Sequence, residues 1–155
     1  MLALDSDTVI NLLRGREVNC RRCFDQARLE QVPLAVSAVV VHELAAGAIS
    51  SRRPEHHLEA MAEFLEPLEI LELSGADAIS AAEIRTHLAA SGAPIGALDT
   101  LIAGQAIARD LPLVTSNIRH FGRVPGLVLI DWAVGPERLT ADQVATRTAP
   151  DRGDQ

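Results

Sequence analysis

The sequence predicts an α/β domain: a mostly parallel central sheet of about five strands, flanked by helices. Short apolar runs alternate along the chain with longer stretches of helical period. Proline or glycine stands at many of the changes from one to the other. The length, 155 residues, is that of one domain, and a hydrophobic content of 48% is enough for a core. Aromatic residues are only 3%, so that core has to be built from Leu, Val, Ile and Ala.

The elements follow in order. Leu2 to Leu4 is a buried strand. Asp7 to Leu13 is a helix with Val9, Ile10, Leu12 and Leu13 on one stripe, ended by Gly15. Glu17 to Gln31 is a second helix, broken by Pro33, and Leu34 to Val36 a second strand. Ser37 is a good N-cap for a helix from Ala38 to Ser50. After the polar break Arg52-Arg53-Pro54, Glu55 to Leu65 is helical. Pro67 leads into a strand over Leu68 to Leu73. Ala76 to Ala90 is a long helix, stopped between Gly92 and Pro94. Leu98 to Arg109 is a helix rich in Ala and Gly, a composition that predicts close packing on its neighbours. Leu113 to Thr115 and Leu127 to Ile130 are the last strands, separated by a Pro125-Gly126 turn. The domain is expected to occupy residues 1–133. Beyond it the hydrophobic period fades, and 134–155 is expected to be a flexible or loosely docked tail.

No apolar run approaches the roughly 20 residues that cross a bilayer, and the N-terminus lacks the features of a signal peptide, so the expected compartment is the cytoplasm. The net charge is -7. That excludes the broad basic surface of a non-specific duplex binder. Acidic metal ligands would account for part of the charge. Every basic residue is Arg, the better bidentate phosphate ligand, although base composition of the genome explains that usage as well. Cys20 and Cys23 form a C-x-x-C, but no second pair exists to complete a zinc site. On a helix they are two neighbours on one face, and a structural role is the expectation.

Four residues stand at the edges of apolar runs, far apart in sequence: Asp5, Glu43, Asp99 and Asn117. A carboxylate at such a position is costly unless paired or bound to a cation. In a parallel sheet, ligands collect at the carboxyl ends of strands. Asp5 and the segment Thr115 to Asn117 fall at such ends, Glu43 lies about two turns into the helix after the second strand, and Asp99 starts a late helix. Brought together, they make an oxygen-lined pocket for Mg²⁺ or Mn²⁺, suited to phosphodiester hydrolysis. Each has a plainer reading: helix-start acids at Asp5 and Asp7, a solvated Glu43, an N-cap at Asp99, a turn at Asn117. Val41-His42-Glu43-Leu44 opens like the zinc-protease motif, but Ala46 stands where its second His belongs. His56 and His57 are expected on the surface, and no P-loop, dinucleotide or G-x-S-x-G motif is present.

Taken in order, these segments resemble the PIN-domain ribonucleases of the VapC toxin family. The resemblance lies in Leu4 to Ile10, in Ser37 and Val41 to Leu44 with Gly47, in Pro94 to Ala103, and in Leu113 to Asn117. It extends to Phe121, Val124 to Leu127 and Trp132. It implies a parallel sheet between helical layers and an endoribonuclease dependent on Mg²⁺ or Mn²⁺. It also implies a homodimer held inactive by a small VapB-like antitoxin, and operator DNA contacted only through that antitoxin. Asp5, Glu43 and Asp99 match the family's acids. Asn117 falls at its fourth acidic position, and Thr115 at a hydroxyl position on the same edge. Ser6 is expected to support Asp5 or a bound water. Arg14, Arg16, Arg119 and His120 lie next to these segments and are candidates for RNA phosphates. With few aromatics to stack on bases, recognition is expected to rest on the shape of a structured RNA, and the resemblance implies tRNA as the preferred substrate. The alternative is a catalytically weak or inactive binding module acting through its partner, for which Asn117 is the best argument. A phosphatase or DNA nuclease on the same pocket is a further one.

Overall fold

The structure is a computed structural model describing residues 1–149. Residues 150–155 of the expected tail lie outside the described residues. The elements, in chain order, are β1 (Leu2–Leu4), α1 (Ser6–Arg14), α2 (Val18–Leu29), β2 (Leu34–Ser37), α3 (Ala38–Ile49) and α4 (Pro54–Leu65). Then come β3 (Glu69–Leu71), α5 (Gly75–Ala90), α6 (Ala97–Ala108), β4 (Leu113–Val114), α7 (Ile118–Phe121), β5 (Leu129–Ile130) and α8 (Ala141–Thr148). The strands form one five-stranded sheet in the order β3-β2-β1-β4-β5. All its pairings are parallel.

That order places β1 at the centre. The chain leaves β1 toward β2 and β3 on one side, then returns to lay β4 and β5 on the other. Leu4 of β1 pairs with Val36 on one flank and Val114 on the other. Asp5 therefore emerges beside Thr115, on the edge where the strand order reverses. Open α/β sheets bind their ligands at such a switch point.

Local chemistry explains most boundaries. Ser37 caps α3, its hydroxyl accepting from the Val39 amide at 3.1 Å. Gly15 ends α1 in the left-handed region (φ 60), which a residue without Cβ enters at no steric cost. Two strands are shorter than the apolar runs that announce them: β3 covers Glu69–Leu71 and β5 only Leu129–Ile130. Hydropathy marks what is buried, whereas a strand also needs a neighbour in register. The core is aliphatic, with one aromatic cluster in which Phe24 stacks on Phe64 at 5.4 Å and meets Trp132 edge-on. Cys20 and Cys23 are buried and free, as a structural role requires.

Two elements go beyond the sequence expectation. α7 is a single turn after Asn117. α8 lies within the segment expected to be flexible or loosely docked. It begins with a capping box, the Gln143 amide donating to Thr140 Oγ1 and the Thr140 amide to Gln143 Oε1. The chain leading to it pairs antiparallel with β5, the Leu139 amide donating to the Leu129 carbonyl at 2.8 Å. Arg147 then forms an ion pair with buried Asp131. So α8 is held at both ends.

α5 and α6 pack most closely. A Cβ on Gly104 would lie 2.5 Å from the Ala81 backbone nitrogen. The same pair is locked by Asp77, 1% exposed, which takes two hydrogen bonds from Arg109, at 3.1 and 2.7 Å. Gln105 and Arg109 also reach the Glu72 carbonyl beyond β3.

Two outcomes follow from this packing. Gly104→Ala should lower unfolding stability by about 2 kcal/mol or more, because the Ala81 backbone it would meet has little room to yield; urea denaturation measures it. The Arg109 guanidinium, helped by Ser74 and Gln105, holds the Asp77 carboxyl well below the usual carboxylate range against the opposing effect of burial. Its contribution is present above the unfolded value of about 4 and is lost as pH falls toward the depressed folded value. Asp77→Asn should therefore cost about 2 kcal/mol at pH 7 and less at pH 3, read from melts across that range.

Candidate active site

Asp5 ends β1 and is 2% exposed. One carboxylate oxygen accepts from the Thr8 amide at 2.7 Å, which caps α1, and the other accepts from the Thr115 hydroxyl. The helix-start and site readings of Asp5 are thus met by the same side chain. Burial pushes its carboxyl up to about 7, although the Thr115 and Thr8 hydrogen bonds pull the other way.

A continuous chain of contacts runs from Asp5 across the switch point. The Asn117 amide donates to Thr115 Oγ1 at 2.9 Å. The Asn117 side chain meets His120 Nδ1 at 3.3 Å, and that nitrogen lies 3.0 Å from Asp99 Oδ2. Asp99 stands in the first turn of α6, but the N-cap is Gly96, so Asp99 is not there to cap the helix. Glu43, half-buried on α3, faces the same region. Burial raises its carboxyl above the ordinary value; the Ser6 hydroxyl opposes that, and the negative charges of Asp99 and Asp7 add to it. Its Oε2 is buried with no hydrogen-bond partner.

Two grooves flank these residues. A polar one of about 490 Å³ is lined by Asp7, Ile10, Asn11, Arg14, Ser116 and Asn117. A more apolar one of about 360 Å³ runs between α1, α3 and α4, over Ile10, Leu13, Leu44, Ala48 and Met61, with Glu43 on its wall. Arg14 lines both. Arg16 and Arg119 are exposed and line neither. His56 and His57 are exposed, as expected, and border the apolar groove. Asn11 and Ser116 escaped the sequence reading, since nothing distinguishes them from ordinary surface positions until α1 and the β4–α7 turn are set side by side.

The donor set suits a hard divalent ion: every candidate ligand is an oxygen, one carboxylate is buried with a raised pKa, and another keeps an unpartnered buried oxygen. Among the described residues no three His, Cys, Asp or Glu side chains form a ready-made metal cluster. Asp5, Glu43 and Asp99 therefore lie around the switch point without being drawn into one ligand cluster.

A five-stranded parallel sheet with Asp5, Glu43 and Asp99 disposed around its switch point defines an α/β domain whose family comparison with known proteins makes specific. Residues 2–127 match the family described as PIN domain. The chain belongs to that family, within its VapC ribonuclease branch. It is 36% identical over 129 residues to the tRNA(fMet)-specific endonuclease VapC of Salmonella typhimurium, covering 83% of this chain and 96% of the relative. It is 33% identical over 129 residues to Ribonuclease VapC2 of Haemophilus influenzae, with the same coverage. Among solved structures it is similar to VapBC2 of Rickettsia felis bound to a promoter DNA fragment. There the TM-score is 0.79 at 30% identity, covering 84% of this chain and 98% of the other. It is also similar to DNA-bound VapBC of Salmonella typhimurium, with TM-score 0.78 at 35% identity, covering 85% and 99%.

The raised Asp5 carboxyl yields a stability prediction. Its folded value lies above its unfolded one, so the contribution of Asp5 to metal-free stability is greatest below about pH 4 and declines as pH rises to about 7. In EDTA at pH 8, Asp5→Asn should be more stable than the parent by about 3 kcal/mol, with the gap closing toward pH 4. Parallel denaturant titrations at the two pH values test this; a destabilised variant at pH 8 would contradict it.

Proposed function

We propose that this chain is the toxin of a VapBC-type toxin–antitoxin pair, a Mg²⁺- or Mn²⁺-dependent endoribonuclease. It cuts structured RNA, with tRNA preferred, and so inhibits translation. The observation that supports this most is the run of contacts Asp5–Thr115–Asn117–His120–Asp99 across the switch point, facing the unsatisfied Glu43 oxygen. The name of the Salmonella relative, a tRNA(fMet)-specific endonuclease, favours tRNA.

Asp5, Glu43 and Asp99 would hold the ion. When bound, it supplies Lewis-acid stabilisation of a phosphoryl group and lowers the pKa of a coordinated water. The chain's own contribution is placement. The Thr115 hydroxyl and Thr8 amide fix both oxygens of Asp5, so this carboxylate does not reorganise during the reaction. The Ser6 hydroxyl favours the charged form of Glu43. Arg14, in the polar groove, is the cation placed to take a backbone phosphate, and Asn11 and Ser116 offer hydrogen bonds along the same path. The acidic net charge elsewhere limits binding to RNAs whose shape fits this groove.

The partner is a VapB-like antitoxin. Its natural seat is the apolar groove over Ile10, Leu44 and Met61, where an amphipathic helix buries its apolar face and an Arg reaches the carboxylates from the Glu43 wall. A homodimer, and operator DNA bound through the antitoxin, belong to the same reading.

Purified, partner-free protein should cut total cellular RNA into discrete fragments with Mg²⁺ or Mn²⁺ and not with EDTA. Asp99→Asn should reduce the rate by about 100-fold or more. Sequenced fragment ends then name the target. Intact RNA in every lane from a folded protein refutes the nuclease and favours the inactive binding module, whereas equal cleavage of single-stranded DNA refutes RNA specificity. Met61→Glu should weaken the antitoxin complex at least tenfold, about 1.4 kcal/mol, by calorimetry against a VapB-like antitoxin that binds the parent.

A further inference from the structure

We infer that His120 is a positioning residue, holding the Asp99 carboxylate through its Nδ1–H with Asn117 as its second anchor. This rests on the nuclease reading above for its purpose, but its geometry stands by itself. His120 Nδ1 is 3.0 Å from Asp99 Oδ2. An ionised carboxylate only accepts, so Nδ1 is the protonated ring nitrogen. The same nitrogen lies 3.3 Å from the Asn117 amide nitrogen. Two donors do not bond each other. Turning the Asn117 amide over, an assignment that heavy-atom positions do not distinguish, brings Oδ1 there to share the same N–H. The ring is then fixed between two acceptors.

The backbone around the ring supports this role. His120 rides on α7, a single turn anchored by Ile118 at 3% exposure and Phe121 at 1%. α7 is tied to the segment before α6 a second time, Arg123 donating to the Pro94 carbonyl at 3.1 Å. From behind, α8 presses on it so closely that a Cβ at Gly122 would lie 2.7 Å from Thr148 Cγ2 and 2.8 Å from Val144 Cγ1. On the other side, Gly96 leaves room for the carboxylate: a Cβ there would stand 3.3 Å from Asp99 Oδ2. Asp99 is thus held from α7 and left clear from its own helix. A partner that orients a metal-holding carboxylate typically changes metal affinity or activity by about 10- to 100-fold when removed.

The test compares His120→Asn, which keeps a donor near Nδ1, with His120→Gln, which keeps one near Nε2, and with His120→Ala. Three readouts are taken: the ring tautomer by ¹⁵N NMR of the metal-free protein, Mn²⁺ affinity by electron paramagnetic resonance without RNA, and KM for RNA. The inference expects the proton on Nδ1 in the parent. It expects Mn²⁺ affinity to fall about tenfold or more in the Ala and Gln variants, and the Asn variant to stay within about threefold of the parent. A proton on Nε2 alone, with Nδ1 bare, or undiminished Mn²⁺ affinity in His120→Ala, overturns it. So does rescue by Gln and not Asn with a changed KM, which would assign the ring to an RNA phosphate. A parent that binds no Mn²⁺ sinks the nuclease reading instead, and the tautomer from the same sample then decides alone whether His120 holds Asp99.

Discussion

The Asp5 carboxylate is claimed by three elements at once. It ends the central strand, caps α1 through the Thr8 amide, and receives the Thr115 hydroxyl from the strand laid down on the opposite side of the reversal. Thr8 adds a second tie, its own hydroxyl donating to the Val114 carbonyl at 3.0 Å. The position of α1 relative to β4 is therefore set by the Asp5 carboxylate and the Thr8 hydroxyl together. Burying it is unfavourable at neutral pH, and the shift of its carboxyl to about 7 states that cost. Hydrophobic burial around Leu4, Val9, Leu12 and Val114 offsets it. A fold tuned for stability alone would have an amide or an apolar residue there. Strain of this kind concentrates where chemistry needs it.

Much of this was legible in the sequence. The alternation of runs predicted the sheet and its helices, because burial on both faces of a parallel strand leaves a continuous apolar signal. Ser37 and Gly15 marked helix ends by chemistry that works within a few residues. Asp5 at a strand end and Asp99 at a helix start were visible because a carboxylate beside an apolar run has to be accounted for. Less visible were features whose cause lies far along the chain. α7 is too short to show a period. Asp77 looks like any first-turn acid until Arg109, 32 residues later, is brought against it. α8 did carry a local sign, Thr140 followed three residues later by Gln143, but what keeps it in place is Asp131 and the surface around Gly122.

The acids also divide by surroundings. Asp77 and Asp131 are buried against arginines and serve packing. Asp5 and Glu43 are desolvated and, among the described residues, form no ion pair with an arginine. That contrast, rather than acidity, separates a structural carboxylate from one kept in readiness, and no composition reveals it.

Arg14 lines both grooves, and Glu43 stands between the apolar one and the acids. On the reading proposed above, a ligand that draws Arg14 into one groove would withdraw it from the other, and the two sites would be linked with negative sign. Such linkage runs both ways: whatever factor a helix in the apolar groove takes from substrate affinity, substrate takes from the helix. Free substrate would then act as a competitor for the inhibitor, and the ratio of the two, more than the amount of either, would set how much of the protein stands open.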